Sequence, residues 1–453
     1  MVFSSITFVF FFLPIFLIIY YLSKNKNIIL CIFSLIFYAW GEPIYILLML
    51  FSSIVDFNIG KMMHKSDNKK FYLMLSIIIN LLLLGFFKYS DFLIDNINIL
   101  FSLDISNLNL GLPIGISFFT FQTMSYSIDV YRGDIMYEKS FSTFLTYVCM
   151  FPQLIAGPIV RYSDVKKELH NRIHSLSNFF SGFKLFLEGL FKKVLIANNI
   201  GLLFVTITSN NISDIAVVSM WLSIVAFSMQ IYFDFSGYSD MARGLGKMMG
   251  FNYPENFNYP FISKSISEFW RRWHMSLGTW FKDYVYFPLG GSKKKVLRNI
   301  FIVWFLTGLW HGASYNFISW GLYFGIIIYL EKTVFKNIIS KIPSFINRVI
   351  TLVLILISFY IFAFDNTNDL INYGSILFGL SNNELINNMT LFYIMDNIYL
   401  LIIGIVLCTP IYKKISERFK NGYLMGIIYF VLFIITISFL VSSSYNPFLY
   451  FRF

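Results

Sequence analysis

The sequence predicts an all-α integral membrane protein, and three observations carry that prediction. Of 453 residues, 57% are hydrophobic and only 13% are charged, about half the charge of an ordinary soluble domain. Phenylalanine alone occurs 54 times. A water-soluble fold of this length leaves roughly a quarter of its surface in water and could not hide so much apolar area. Apolar runs of helix length also recur along the whole chain, so lipid is the expected solvent.

The runs lie near 3–22, 28–40, 45–60, 72–88, 92–104, 110–127, 141–160, 176–208 (interrupted), 215–236, 299–330 (interrupted), 347–364, 396–411 and 423–441. Several fall short of the roughly 20 residues of a spanning helix, which predicts tilted, broken or re-entrant pieces buried within protein. FPQLIAGPIVRY, Phe151 to Tyr162, has Pro152, Gly157 and Pro158 inside an apolar run and is expected to be a re-entrant loop. The N-terminus lacks the features of a cleaved leader, so Phe8 to Leu22 is expected to be a retained first span. No internal repeat, linker or soluble domain interrupts 1–453, which predicts one polytopic domain. Asn, Ile and Lys usage fits a bacterial, AT-rich genome.

Charge gives the orientation. Lys24 and Lys26 follow the first span, and Lys61, Lys65, Lys69 and Lys70 follow the third, which puts these loops in the cytoplasm. Lys413, Lys414, Arg418 and Lys420 make another inside loop, whereas Asp365 to Asp396 holds four acids and no Lys or Arg. Both termini, including Phe453, are then extracytoplasmic in the cell membrane. The net charge of +11 needs no nucleic acid. Cys31, Cys149 and Cys408 lie in separate apolar segments with no CxxC or Cys/His spacing, which supports neither a disulfide framework nor a metal site.

One polar island breaks the pattern. Residues 254–298 carry eight Lys/Arg and three Asp/Glu, and they are expected to form a cytoplasmic interfacial helical segment. Wound as one helix from Ser267 to Tyr286, its Trp270, Trp273, Leu277, Trp280, Phe281 and Tyr284 fall within an arc of about 100°, the pattern of a helix lying along the interface. Pro288, Gly290 and Gly291 end it. His274 lies about 40° from Trp270 on that wheel and should point inward; it is either a packed histidine bonded to a backbone carbonyl or a functional one.

The run 299–330 lies between Arg298 and Lys332 and is expected to be a hairpin entering and leaving on one side. His311 follows Arg298 by 13 residues, roughly 20 Å of helix in a hydrocarbon layer about 30 Å thick. An ionisable residue at that depth is a functional candidate, the alternative being a bond between helices. Asp240 and Arg243, three apart, are expected to pair locally. His64, His170 and His174 sit in polar loops and are expected to be solvated.

The sequence has no P-loop, GxSxG or HExxH. His274 and His311 are its one His-centred constellation. A buried histidine rests neutral, ready to accept a hydroxyl proton. No Ser or Cys is clearly paired with either, which favours direct transfer between two bound substrates.

The strings DFSGYSDMARG, FWRRWHMSLGTWFKDYVYFPLGG and GLWHGASYNFISWG, with the opening MVFSSITFVFFFLPIFLIIYYL and the ending YNPFLYFRF, resemble the membrane-bound O-acyltransferase family, nearest its AlgI-like polysaccharide O-acetyltransferase branch. The resemblance implies a ring of transmembrane and re-entrant helices around a central tunnel. It makes His311 the catalytic histidine and His274 the second motif histidine on the cytoplasmic approach. Trp310, Trp273, Arg271, Arg272 and Asp234 are candidates for binding substrate. No bound cofactor or metal is implied. The donor is expected to be a cytoplasmic acyl thioester, acetyl-CoA or a phosphopantetheine carrier, whose phosphates would suit the basic island as well as ordinary positive-inside charge explains it. An extracytoplasmic acyl-accepting protein and a cell-surface polysaccharide are the expected partners. D-alanyl transfer to teichoic acid, as in DltB-like proteins, is the alternative within the family. A polysaccharide or lipid transporter is the alternative outside it, although neither repeats nor intramembrane charge pairs are evident.

Overall fold

The computed structural model describes residues 1–418, 423–442 and 445–447, without the side chain of Glu417. Lys420 and the last residues of YNPFLYFRF, including Phe453, lie outside the described residues. Every regular element among those described is helical, and seven helices are long and apolar enough to cross a membrane. Their outer faces are apolar: Leu22, Leu82, Ile99 and Tyr399 are exposed, and the helix Tyr423–Ser442 buries only Thr436. Such surface is stable only in a nonpolar solvent, and the protein is a multi-pass membrane protein.

The chain forms two compact units, Met1–Phe186 with Tyr238–Glu255, and Leu187–Gly237 with Asn256–Phe453. In the first, Phe3, Phe8, Phe12, Phe16, Phe37 and Phe151 meet ring against ring, and Tyr238 stacks on Phe3 at 4.5 Å. Runs 72–88 and 92–104 prove to be one helix, Lys69–Phe101. No Pro interrupts it, and Lys88 finds a partner in the Ser117 hydroxyl at 3.3 Å. The polar residues between the two runs therefore lie inside the helix rather than ending it.

Run 110–127 becomes helical only at Ile116, after Gly115 at φ 75°. A Cβ there would come within 2.6 Å of the Leu154 carbonyl oxygen. Run 141–160 divides into Phe141–Cys149, the single turn Phe151–Leu154 and an irregular stretch to Arg161. From Met150 through Val160 this segment is entirely buried. Asp56, fully buried in the helix Ile46–Lys65, accepts from Ser76 at 2.5 Å, Asn80 at 2.8 Å and Ser127 at 3.0 Å. This polar knot ties three helices together.

Proximity in space departs from separation in sequence at several polar residues. Cys31 and Cys149, 118 positions apart, bring their Sγ atoms within 3.8 Å as free thiols. His64 and His170 are exposed, as expected, His64 with its ring tilted against Tyr137, and His170 and His174 also have polar partners. His170 Nε2 lies 2.9 Å from Glu138 Oε2. Burial works to raise the Glu138 carboxyl, yet hydrogen bonds from Tyr162, the Ser140 N–H and His170 outweigh it and hold the group below its usual value. His174 contacts the Tyr20 hydroxyl at 3.1 Å and is held below its ordinary pKa by burial and by Lys26 and Arg172. Asp240 and Arg243 do form a local pair, at 3.2 Å.

The second unit includes the helices Ser344–Ala363, Thr367–Leu377, Asn388–Leu407 and Tyr423–Ser442, together with a hairpin and the polar island from Asn256 onward. Its core is aromatic, built on Phe269, Trp273, Trp320, Phe324, Phe359 and Phe362.

Candidate active site

The stretch around His311 folds as two helices, Val296–His311 and Tyr315–Lys332. Backbones approach closely at two levels: Gly308 lies against Phe317 and Gly321, and Trp304 against Gly321 and Gly325. As one partner number falls the other rises, so the helices are antiparallel. A Cβ on Gly308 would strike the Phe317 carbonyl oxygen, and one on Gly321 the carbonyl oxygen of Trp304. These small residues let the two backbones touch along the hairpin. Gly312 at the tip leaves room for the Phe317 ring.

His311 is the last residue of the first arm, roughly 20 Å along its axis from exposed Arg298. It is 4% exposed. Its ring meets the edges or faces of Trp310 at 5.0 Å, Trp320 at 4.9 Å and Phe362 at 5.4 Å. Asn316, one turn beyond the tip, donates to Asp365 at 3.3 Å.

The polar island differs from the single helix expected of it. Ile266–Trp270 and Met275–Phe281 are separate helices, and a wide turn over Lys282–Tyr286 follows the second. The break falls at His274, whose φ of 44° puts it in the left-handed region. Such a conformation costs a non-glycine residue about 1–2 kcal/mol. Long-range backbone bonds offset it: Asn258 N–H donates to the Arg272 carbonyl at 2.9 Å, and Met275 N–H to the Asn256 carbonyl at 3.0 Å. The inward face of the wheel survives, because Trp273, Leu277, Trp280, Phe281 and Tyr284 are all buried.

His274 is 1% exposed. Its Nδ1 lies 3.2 Å from Asn256 Oδ1, and its ring meets Phe235 at 4.7 Å and Trp310 at 5.8 Å. Burial pushes its pKa down to about 3, so the imidazole is neutral at physiological pH. The Trp310 indole, a candidate binding residue, therefore meets both histidine rings. Trp273 packs among Phe257, Phe269 and Phe359 in the core. Arg272 is engaged by Glu268 and the Asn258 carbonyl, and Arg271 is exposed.

Asp234 precedes Phe235, which faces His274, and forms a buried ion pair with Lys193 at 2.7 Å. Each side chain of that pair is 3% exposed. Sequence reasoning had passed over Lys193; the signal was the pair Lys192-Lys193 inside the interrupted run 176–208. It also missed Glu331, whose carboxylate accepts the backbone N–H groups of Ile266 at 2.6 Å and Ser267 at 2.8 Å. That contact fastens the base of the hairpin to the start of the His274 segment. Asn256 carried no sequence signal at all.

This arrangement places two buried imidazoles against one indole in an aromatic setting, and an imidazole can take a proton from a hydroxyl. Comparison with known proteins agrees with that chemistry. The profile described as "MBOAT, membrane-bound O-acyltransferase family" matches residues 7–367. The probable alginate O-acetylase AlgI of Pseudomonas aeruginosa is 42% identical over 381 residues, covering 81% of this chain and 72% of that one. The peptidoglycan O-acetyltransferase of Helicobacter pylori is 36% identical over 372 residues, covering 73% and 70%. The teichoic acid D-alanyltransferase of Bacillus subtilis is 32% identical over 277 residues, covering 56% and 68%. The chain belongs to the membrane-bound O-acyltransferase family and is an O-acyltransferase.

Proposed function

We propose that the protein moves an acyl group, specifically acetyl, from a cytoplasmic thioester to the other side of the membrane for O-acylation of a cell-surface polysaccharide, with His311 as the catalytic base and His274 beside the donor's approach. One observation carries the reading: His311 ends the first arm of the hairpin next to Trp310, an indole that also contacts His274, in a chain 42% identical to a probable alginate O-acetylase. In the transfer, an acceptor hydroxyl gives its proton to the His311 imidazole as its oxygen attacks the thioester carbonyl. The C–O bond forms, the C–S bond breaks, and the proton passes to the departing sulfur, leaving an ester and a free thiol. A general base of this kind contributes about 10²- to 10⁴-fold.

The reading requires a passage to His311 from each aqueous side, as a ring of helices around a tunnel would provide. Exposed Arg271, Lys282, Lys293, Lys294 and Lys295 offer the donor's phosphates a cytoplasmic landing site. An extracytoplasmic protein would carry the acyl group onward to the polysaccharide. D-alanyl transfer to teichoic acid is the second reading, favoured by the 32% identical D-alanyltransferase. The two differ in their donor. Protein in lipid nanodiscs, given radiolabelled acetyl-CoA or a D-alanyl carrier protein in turn, should release free thiol and pass on label from the acetyl donor. Turnover with the D-alanyl carrier alone would overturn the acetyl reading in favour of the second.

A further inference from the structure

We propose that Asn256 is the positioning residue of the second histidine: its side-chain oxygen holds His274 as the Nδ1–H tautomer and so presents Nε2 as the ring's lone-pair nitrogen to the transfer reaction. The inference rests on the acyltransfer reading above and deepens it.

The tautomer follows from hydrogen-bond logic. Three groups face Asn256 Oδ1: the Ser276 backbone N–H at 3.1 Å, the Ser276 hydroxyl at 2.9 Å and His274 Nδ1 at 3.2 Å. A backbone N–H can only donate, so the Asn256 atom that meets it is the oxygen and not the amide nitrogen. That oxygen can only accept, so Nδ1 carries the proton. A neutral imidazole has one N–H, which makes Nε2 the unprotonated nitrogen.

The same residue fixes the backbone. The Asn256 carbonyl accepts the Met275 N–H at 3.0 Å, and this bond holds the chain just past His274, where φ is 44°. Asparagine is a costly choice here for packing alone. The residue is fully buried, and its Nδ2 has no acceptor among the described residues, a loss an apolar side chain of similar size would avoid. An acceptor aimed at the ring nitrogen is what the Asn256 side chain supplies and an apolar one does not.

The test is a double-mutant cycle on the full chain in membranes, with kcat/KM for transfer from acetyl-CoA as the readout and melting temperature as the check on folding. Asn256→Ala should lower kcat/KM at least tenfold. Combining it with His274→Ala should leave activity within about twofold of His274→Ala alone, because a residue acting through another adds nothing once the other is gone. Asn256→Asp keeps the acceptor and adds a negative charge that favours the protonated ring. It should move the acid limb of the pH profile upward by a unit or more, a shift that a purely structural role does not produce. Losses that multiply in the double variant, wild-type activity in folded Asn256→Ala, or an unmoved pH profile in Asn256→Asp would each overturn the inference. If Asn256→Ala does not fold, the Asp profile alone decides. Transfer retained by His311→Ala would instead remove His311 as the base, and no transfer from acetyl-CoA by the wild-type chain would remove the acyltransfer reading, whichever way the cycle fell.

Discussion

Among single residues, burial governs protonation most clearly at His274. His274 takes up its proton near pH 3 when folded, its pKa pushed to about 3 by burial, and near pH 6.5 when unfolded. Between those values the unfolded chain binds more protons than the folded one. The stability contributed by neutral His274 is therefore complete above about pH 6.5 and is lost as pH falls below it, by up to about 1.4 kcal/mol per pH unit. Melting temperature measured from pH 8 down to pH 5 should drop in the wild type and drop less steeply in His274→Asn; equal slopes would contradict the burial argument. His311 was legible in the sequence because its depth is a matter of counting from Arg298 along a helix. That His274 points inward was legible from the wheel. Its partner was not, since Asn256 lies 18 positions earlier in a stretch without periodicity. Lys193 was hidden for another reason: a lysine near the end of an apolar run looks like an ordinary anchoring charge, and only the fold brings Asp234 to it.

At the scale of elements, the hairpin is held by glycine rather than by large side chains. Gly321→Val would drive a Cβ into the Trp304 carbonyl oxygen, overpacking that costs about 1–3 kcal/mol. Gly426, on the exposed helix Tyr423–Ser442, meets nothing within 4 Å. Gly426→Val should change stability by less than about 0.5 kcal/mol. Thermal melting of the two variants in the same detergent measures the contrast, and equal effects would mean the two arms do not touch where Gly308 and Gly321 meet. Apolar runs located the elements well, but their ends depended on contacts that sequence does not display. The polar residues between runs 72–88 and 92–104 marked a break that a continuous helix carries without one, with Lys88 reaching the Ser117 hydroxyl. Conversely, the smooth aromatic arc from Ser267 to Tyr286 gave no warning of the break at His274, because backbone bonds to 256–258 compete there with the helix's own.

At the scale of the whole molecule, composition alone set the class. Apolar side chains such as Leu22, Leu82 and Tyr399 that stay exposed after folding are what 57% hydrophobic content requires of a chain whose solvent is lipid. The division into two units was not legible, since no linker marks it: the single helix Val217–Met248 gives residues to both. The two motif histidines stood out in the sequence for different reasons, His311 by its depth along a helix and His274 by its place on the wheel. The most direct measurement is the content of O-acetyl esters on cell-surface glycans, by mass analysis, in cells that carry His311→Ala at wild-type abundance in place of the native chain. The account predicts a fall of about 100-fold or more; ester content equal to that of the wild type, with the variant folded in the membrane, would contradict it.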